Sequence, residues 1–149
     1  MAKIEVGTYL VCSDLNTRDD LGIRPVFKTK EAACADLTTP IAFTIEAHTT
    51  VKIPLNIRLD IPEGYNAKIY PRSSLLVKYN ILAPTSIIDA DYKGIVHLVL
   101  TNLSDIAVSF NRGDRLCQIE IQKVGPKPTE WEVENNDRSQ EGFGGSGLN

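Results

Sequence analysis

The sequence predicts a single all-β domain, built as a sandwich or barrel of short strands. Three observations lead to this prediction. Apolar and polar residues alternate over residues 51–61, further short apolar runs are separated by turn residues, and helical periodicity is nearly absent. Such spacing is typical of sandwiches and barrels, whereas strands alternating with helices would indicate a parallel sheet. The length of 149 residues fits one domain.

The clearest strand covers residues 51–61, where every odd-numbered position is apolar. A strict period of two indicates a strand with one buried face. Pro54 cannot donate a ladder hydrogen bond, so we expect this strand to lie at a sheet edge there. The Pro-Glu-Gly sequence at 62–64 predicts a turn directly after it.

Three more apolar runs occupy the second half of the chain. Residues 95–100 are rich in β-branched side chains, and residues 107–110 and 115–121 flank Asn-Arg-Gly-Asp at 111–114. Turn residues between two short apolar runs predict a β-hairpin. The best helical signal is residues 74–79, with Ser73 as the expected N-cap.

Composition excludes several classes of protein. A hydrophobic content of 42% argues against a disordered chain. A membrane-spanning helix needs a run of about 18 apolar residues, and the sequence contains no such run. The net charge of -3 differs from the strongly basic charge of proteins that coat nucleic acids. We therefore expect neither nucleic acid nor a membrane among the partners.

Cysteine usage points to a reducing compartment. Cys12, Cys34 and Cys117 are widely spaced, and only His48 and His97 are available beside them, so a structural zinc site is not expected. The N-terminus lacks the apolar core of a signal peptide. These features predict a cytoplasmic protein (in the host-cell cytoplasm if it is viral) whose cysteines pack.

The C-terminal residues differ from the rest in composition. Residues 125–149 contain five of the ten glycines and begin with Gly-Pro-Lys-Pro, so we divide the chain into a β domain at 1–124 and an arm at 125–149. Composition alone predicts a flexible tail. However, Arg138 and Phe143 are residue types that hold a phosphate and stack on a base, so a binding role stays open.

Two segments carry candidate chemistry. Arg72, Ser73 and Ser74 lie where a strand is expected to give way to a helix, which suits either an anion site or an ion pair with an N-cap. Asp89 and Asp91 would project to one side of an extended segment, which suits a metal ligand or general base, although a solvated acidic turn is commoner.

Other candidates give weaker signals on their own. Asp36 lies between small residues, and Gln118 is an amide in an apolar strand that faces either solvent or a ligand. His97 is more simply a packed or a surface residue than a catalyst, and packing roles are the simplest interpretation of Tyr70 and Trp131. Together, these residue types suit binding of a polyphosphate and activation of a water better than acyl transfer.

Five segments, in order, resemble the motifs of one family, the trimeric deoxyuridine triphosphatases or dUTPases. They are residues 33–37 (ACADL), 71–75 (PRSSL), 88–94 (IDADYKG), 113–118 (GDRLCQ) and 138–147 (RSQEGFGGSG). The resemblance implies a distorted jelly roll of the β-clip type that assembles as a homotrimer. Each active site would then draw on three subunits, and a swapped C-terminal arm would close over the nucleotide.

The same resemblance implies hydrolysis of dUTP to dUMP and pyrophosphate, which keeps uracil out of DNA and supplies dUMP for thymidylate synthesis. Asp89 matches the general base that activates the water attacking the α-phosphorus. Tyr92 matches the aromatic residue under the deoxyribose. Mg²⁺ would be held mainly by the phosphates, with Asp36 reaching it through water. The other residues that match substrate-binding positions are Arg72, Ser73, Ser74, Gln118, Arg138, Phe143, Gly144 and Ser146.

Two other functions compete with this interpretation. A dCTP deaminase resembles dUTPases in fold and also carries Pro-Arg-Ser-Ser, but it needs a catalytic Glu near Val99, and no carboxylate occurs between Asp91 and Asp105. A non-catalytic interaction protein could keep the fold as a scaffold. Loss of the base or the arm would indicate that fate, yet Asp89, Tyr92 and Phe143 are all present.

Overall fold

A computed structural model describes residues 7–10, for their backbone, and residues 22–134. These residues form strands and one short helix, which confirms the predicted all-β class. The strands are β1 (Gly7–Leu10), β2 (Ala35–Thr38), β3 (Phe43–Ile45), β4 (Thr50–Pro54), β5 (Ile57–Asp60), β6 (Tyr65–Pro71), β7 (Ile81–Leu82), β8 (Ser86–Ile88), β9 (His97–Asn102), β10 (Val108–Phe110) and β11 (Arg115–Lys123). The helix, α1, is Ser73–Tyr79.

The strands pair antiparallel in several small sheets around one core. A four-stranded sheet has the order β2–β11–β6–β8, a three-stranded sheet has the order β4–β9–β7, and β1–β5 and β3–β10 form pairs. Alternation of buried and partly buried residues along β9 shows one face turned inward. The fully buried apolar side chains include Leu37, Ile45, Leu55, Ile57, Ile69, Leu100 and Leu116. The four-stranded sheet positions the candidate site.

The predicted long strand at 51–61 is two strands in different sheets. β4 ends at Pro54 and β5 begins at Ile57. Between them, Asn56 is fully buried with a φ of 56°, a left-handed conformation that interrupts an extended chain. Asn tolerates this conformation better than most residues. Every second side chain therefore stays buried across the break, although the ladder of strand hydrogen bonds is interrupted. Pro54 does lie on an edge strand, because β4 pairs with β9 alone among the described strands.

The predicted hairpin across 111–114 is wrong, although its turn is present. The Asp114 N–H donates to the Asn111 carbonyl at 3.0 Å, and Gly113 has a φ of 94°. The turn passes the chain between sheets, since β10 pairs with β3 and β11 pairs with β2 and β6. Turn chemistry fixes a change of direction, whereas packing of each apolar face selects the partner strand.

The helix begins one residue earlier than predicted. Arg72, not Ser73, is the N-cap, with φ -79° and ψ 140° and no side-chain capping bond. The Arg72 N–H instead lies 3.5 Å from the Leu116 carbonyl of β11, which holds the cap residue to the sheet. Across the described residues, no helix is both long and apolar enough to cross a bilayer.

Candidate active site

One end of the four-stranded sheet gathers several predicted site residues. Gln118 of β11 lies opposite both Asp36 of β2 and Tyr70 of β6 in the strand register. Directly opposed residues share one face of a sheet. Because neighbours such as Leu37 point into the core, this row lies on the outer face. The Gln118 side-chain amide donates to the Pro71 carbonyl at 3.3 Å, which fixes it beside the start of α1.

Asp36 lies between two arginine side chains. Arg115 Nη1 donates to Asp36 Oδ2 at 3.2 Å, and Arg72 Nε lies 3.9 Å from Asp36 Oδ1. Arg72 Nη1 also donates to the Arg115 carbonyl at 2.9 Å. We call Asp36, Arg72 and Arg115 the arginine cluster. Two guanidinium groups around one carboxylate leave an excess positive charge, which suits a phosphate chain.

Ser73 and Ser74 open α1 directly beside this cluster. Ser73 is exposed, and Ser74 is partly exposed. The first N–H groups of a helix have no acceptor within the helix, so they are available to an anion or to water. The structure therefore brings Asp36, Arg72, Ser73, Ser74 and Gln118 together.

Asp89 and Tyr92 occupy a tight turn after β8. The Tyr92 N–H donates to the Asp89 carbonyl at 3.1 Å, so the predicted extended geometry is wrong. The carboxylates at 89 and 91 do not form a pair on one side of a strand. Asp89 is partly buried where the turn begins, whereas Asp91 is exposed within it.

Tyr92 is held firmly under this turn. Its ring is buried, and its hydroxyl donates to the Ile95 carbonyl at 2.6 Å. Burial raises the pKa of the Tyr92 phenol above 10.0, although the charge of Arg58 opposes that shift. A Cβ at Gly94 would lie 2.7 Å from the Tyr92 hydroxyl oxygen and 2.8 Å from the ring carbon bearing it. Position 94 therefore has room only for glycine while the ring stays in place.

The two groups of site residues lie at opposite ends of β6. The antiparallel register places Ile88 opposite Ala67, so Asp89 follows beside Asn66, near the start of the strand. Arg72 comes directly after its other end. At about 3.3 Å per residue, six residues separate them by roughly 20 Å. A single chain does not bring Asp89 and Tyr92 to the arginine cluster.

The remaining candidates have varied surroundings. His97 Nδ1 lies 2.9 Å from the Ile95 carbonyl, and burial lowers the pKa of its imidazole below 6.5. Tyr70 donates to Glu120 Oε1 at 2.8 Å. Cys117 packs in the core as predicted, and burial raises the pKa of its thiol to about 12. Trp131 does not pack against the described part of its own chain, since 71% of it is exposed.

Sequence reasoning missed Arg115 as a site residue. It lies within the fourth motif, at 113–118, three residues before Gln118, and that position was the available signal. The four predicted arm residues Arg138, Phe143, Gly144 and Ser146 lie outside the residues that the structure describes.

Comparison with known proteins identifies relatives along nearly the whole chain. A relative from Candida glabrata, named deoxyuridine 5′-triphosphate nucleotidohydrolase, is 34% identical over 130 residues, covering 87% of this chain and 90% of the relative. A Fowlpox virus protein of the same name is 36% identical over 129 residues, covering 83% of this chain and 89% of its own.

Solved structures support the fold. The dUTPase from phage phi11 of S. aureus matches with a TM-score of 0.74 at 19% identity, covering 89% of this chain and 99% of that chain. The Staphylococcus bacteriophage 80alpha dUTPase with dUPNHPP also matches with a TM-score of 0.74, at 20% identity, covering 98% and 100% of the two chains.

The match to the family model spans the five motif-like segments and reaches into the C-terminal arm. A family model described as dUTPase matches residues 22–147, which include all five motif-like segments. With relatives above 30% identity along most of their length, the chain belongs to the dUTPase family of deoxyuridine triphosphate-hydrolysing enzymes.

Proposed function

We propose that this chain hydrolyses dUTP to dUMP and pyrophosphate at sites shared between the three copies of a homotrimer. The observation that carries the proposal is the separation of Asp89 and Tyr92 from the arginine cluster along β6. Neither group alone has both a base and a phosphate-binding surface. A neighbouring copy would supply the missing half, and the names of the relatives support dUTP as the substrate.

Asp89 accepts a proton from a water molecule as that water attacks the α-phosphorus. A new P–O bond forms, the bond from the α-phosphorus to the bridging oxygen breaks, and pyrophosphate leaves with the bonding electrons. Arg72, Ser73, Ser74 and Gln118 hold the phosphate chain and disperse the negative charge that develops on it. The proton on Asp89 then passes to solvent.

Tyr92 supplies the sugar selectivity. A ring that is buried and anchored through its hydroxyl to the Ile95 carbonyl is a rigid surface. Packed against the deoxyribose, it leaves no space for a 2′-hydroxyl. Rigidity matters here, because a mobile ring would move aside for the larger sugar.

The residues present fit Mg²⁺ held mainly by substrate phosphates. Within the described residues, no group of three or more His, Cys, Asp or Glu side chains could hold a metal ion. Asp36 is the one carboxylate of the arginine cluster, which suits contact with a hydrated ion through water rather than a protein cage. When bound, Mg²⁺ supplies additional neutralisation of the phosphate charge.

The C-terminal arm completes the site in this proposal. Arg138, Gly144 and Ser146 bind the phosphates, Phe143 stacks on the uracil, and closure excludes bulk water. The exposed indole of Trp131 supports an arm that crosses to a neighbouring copy, because the described part of its own chain leaves that ring uncovered. We place the reaction in the cytoplasm, or the host-cell cytoplasm for a viral protein.

Product analysis tests the function. The full chain is incubated with Mg²⁺ and, separately, dUTP, dCTP, dTTP or UTP, and the nucleotides are separated by chromatography. We expect dUMP and pyrophosphate from dUTP alone. Deoxyuridine nucleotides from dCTP would instead support deamination, which the structure does not favour, because β9 carries Val99 where a carboxylate is needed. No turnover by a folded protein would support a binding role.

A further inference from the structure

The strand β11 contains an irregularity that changes which side chains reach the site. Its register on β2 pairs Cys117 with Leu37 and Gln118 with Asp36, but Arg115 with Thr38. One residue, Leu116, is therefore extra on β11. Leu116 and Cys117 are adjacent and both buried, which breaks the alternation of burial along β11 and agrees with an extra residue there. These two observations define a β-bulge at Leu116.

The bulge places Arg115 and Gln118 on the same face of the sheet. Residues three apart in a regular strand point to opposite faces. Here Arg115 lies opposite Thr38 and Gln118 lies opposite Asp36, and these two β2 residues are two apart. Arg115 therefore projects on the outer face, where its guanidinium reaches Asp36 at 3.2 Å.

The contact fixes the carboxylate of Asp36. Only 14% of the Asp36 side chain is exposed, and one of its oxygens is taken by Arg115. Arg72 lies at 3.9 Å from the other oxygen and also donates to the Arg115 carbonyl. The side chain of Arg115 thus orients Asp36, and its main-chain carbonyl orients Arg72.

We propose that Arg115 is a positioning residue for the phosphate site, which acts through Asp36 and is brought there by the bulge at Leu116. The inference rests on the proposed function. Arg115 does not touch the reacting atoms. It keeps Asp36 in one orientation toward the hydrated Mg²⁺ of the bound nucleotide, so that this orientation is set before the substrate arrives.

Arg115→Gln and Arg115→Lys test this role, with Arg112→Gln as the matched control. Arg112 lies three residues away and donates to the Pro40 carbonyl at 2.6 Å, outside the cluster. We expect Arg115→Gln to raise KM for dUTP about ten-fold with kcat within about two-fold, as loss of a hydrogen bond to a charged group predicts. Arg115→Lys should recover part of the loss, and Arg112→Gln should behave as the parent protein.

Binding of dUPNHPP by calorimetry supplies a readout that is separate from turnover. Arg115→Gln should weaken binding in the presence of Mg²⁺ and leave metal-free binding nearly unchanged. A double-mutant cycle with Asp36→Asn should be non-additive, because Arg115 has nothing to position once the carboxylate is gone. Equal losses with and without Mg²⁺, or additive losses, would show a direct phosphate contact and overturn the proposal.

Two further outcomes separate the inference from the function on which it rests. If the parent protein hydrolyses dUTP and Arg115→Gln matches it in KM and in Mg²⁺-dependent binding, the inference fails and the proposed function stands. If the parent protein does not hydrolyse dUTP, both fail.

Discussion

Single residues in this molecule work through neighbours that hold them. Tyr92 is fixed by the Ile95 carbonyl and by the absence of a side chain at Gly94. Asp36 is fixed by Arg115. The chemistry of each group depends on its orientation as well as on its residue type, so substitutions of the neighbours that hold a functional group also test function.

Asp89→Asn removes the proposed base while it keeps the shape of the side chain. We expect kcat to fall roughly 10²–10⁴-fold, because an amide cannot accept the proton of the attacking water. Binding of dUPNHPP should be nearly unchanged, since the phosphate ligands remain. Steady-state kinetics and calorimetry measure the two quantities, and turnover near that of the parent protein would contradict the assignment.

His97 predicts a pH dependence of stability. Burial lowers the pKa of its imidazole below 6.5, so as the pH falls the unfolded chain takes up a proton before the folded chain does. The stabilisation from the neutral ring is present above about pH 6.5 and is lost as the pH falls through the folded pKa. His97→Gln should therefore show a shallower decline of Tm on acidification, measured by thermal denaturation. An equal decline in both proteins would contradict this assignment.

At the scale of elements, periodicity predicted burial better than it predicted pairing. The apolar positions from 53 to 61 are all buried, yet the ladder breaks at Asn56. The 111–114 turn forms, yet its flanking strands join different sheets. Alternation reports which face meets the core, which is a local property. Partner choice depends on packing between distant segments, which the local pattern does not encode.

The candidate site was predictable to a similar extent. Local motifs identified Asp36, Arg72 and Gln118, which the sheet does bring together. Arg115 could not be assigned to them from spacing alone, because a regular strand would point it away from Gln118. The separation of Asp89 from the cluster also depends on the β6–β8 register, which pairs two strands that are separated in the chain by α1 and β7.

The turn after β8 makes a prediction for sugar selectivity. Gly94→Ala places a methyl group within 2.7 Å of the Tyr92 hydroxyl oxygen, so the ring or the turn must shift. We expect a several-fold higher KM for dUTP and a smaller ratio of kcat/KM between dUTP and UTP. Gly125→Ala is the matched control, because its Cβ would have no neighbour within 4 Å. Unchanged selectivity in Gly94→Ala would show that the ring does not set it.

At the scale of the whole molecule, the separation of the two site halves predicts complementation between inactive variants. Arg72→Gln and Asp89→Asn chains, each inactive alone, should regain activity when they are unfolded together and refolded. With random assembly, about one site in four takes its Arg72 half from an Asp89→Asn chain and its Asp89 half from an Arg72→Gln chain. The mixture of Arg72→Gln with Ser73→Ala, both in the same half, should not recover. Absence of recovery in assembled mixed trimers would contradict a shared site.

The exposed indole described above gives this chain an internal optical probe. Trp131 is the only tryptophan, and 71% of it is exposed. Its fluorescence in an isolated chain should resemble that of an indole in water. Coverage of the ring by a neighbouring copy would shift the emission to shorter wavelength. The emission spectrum, followed on dilution, would then report dissociation of the subunits without a label and without substrate.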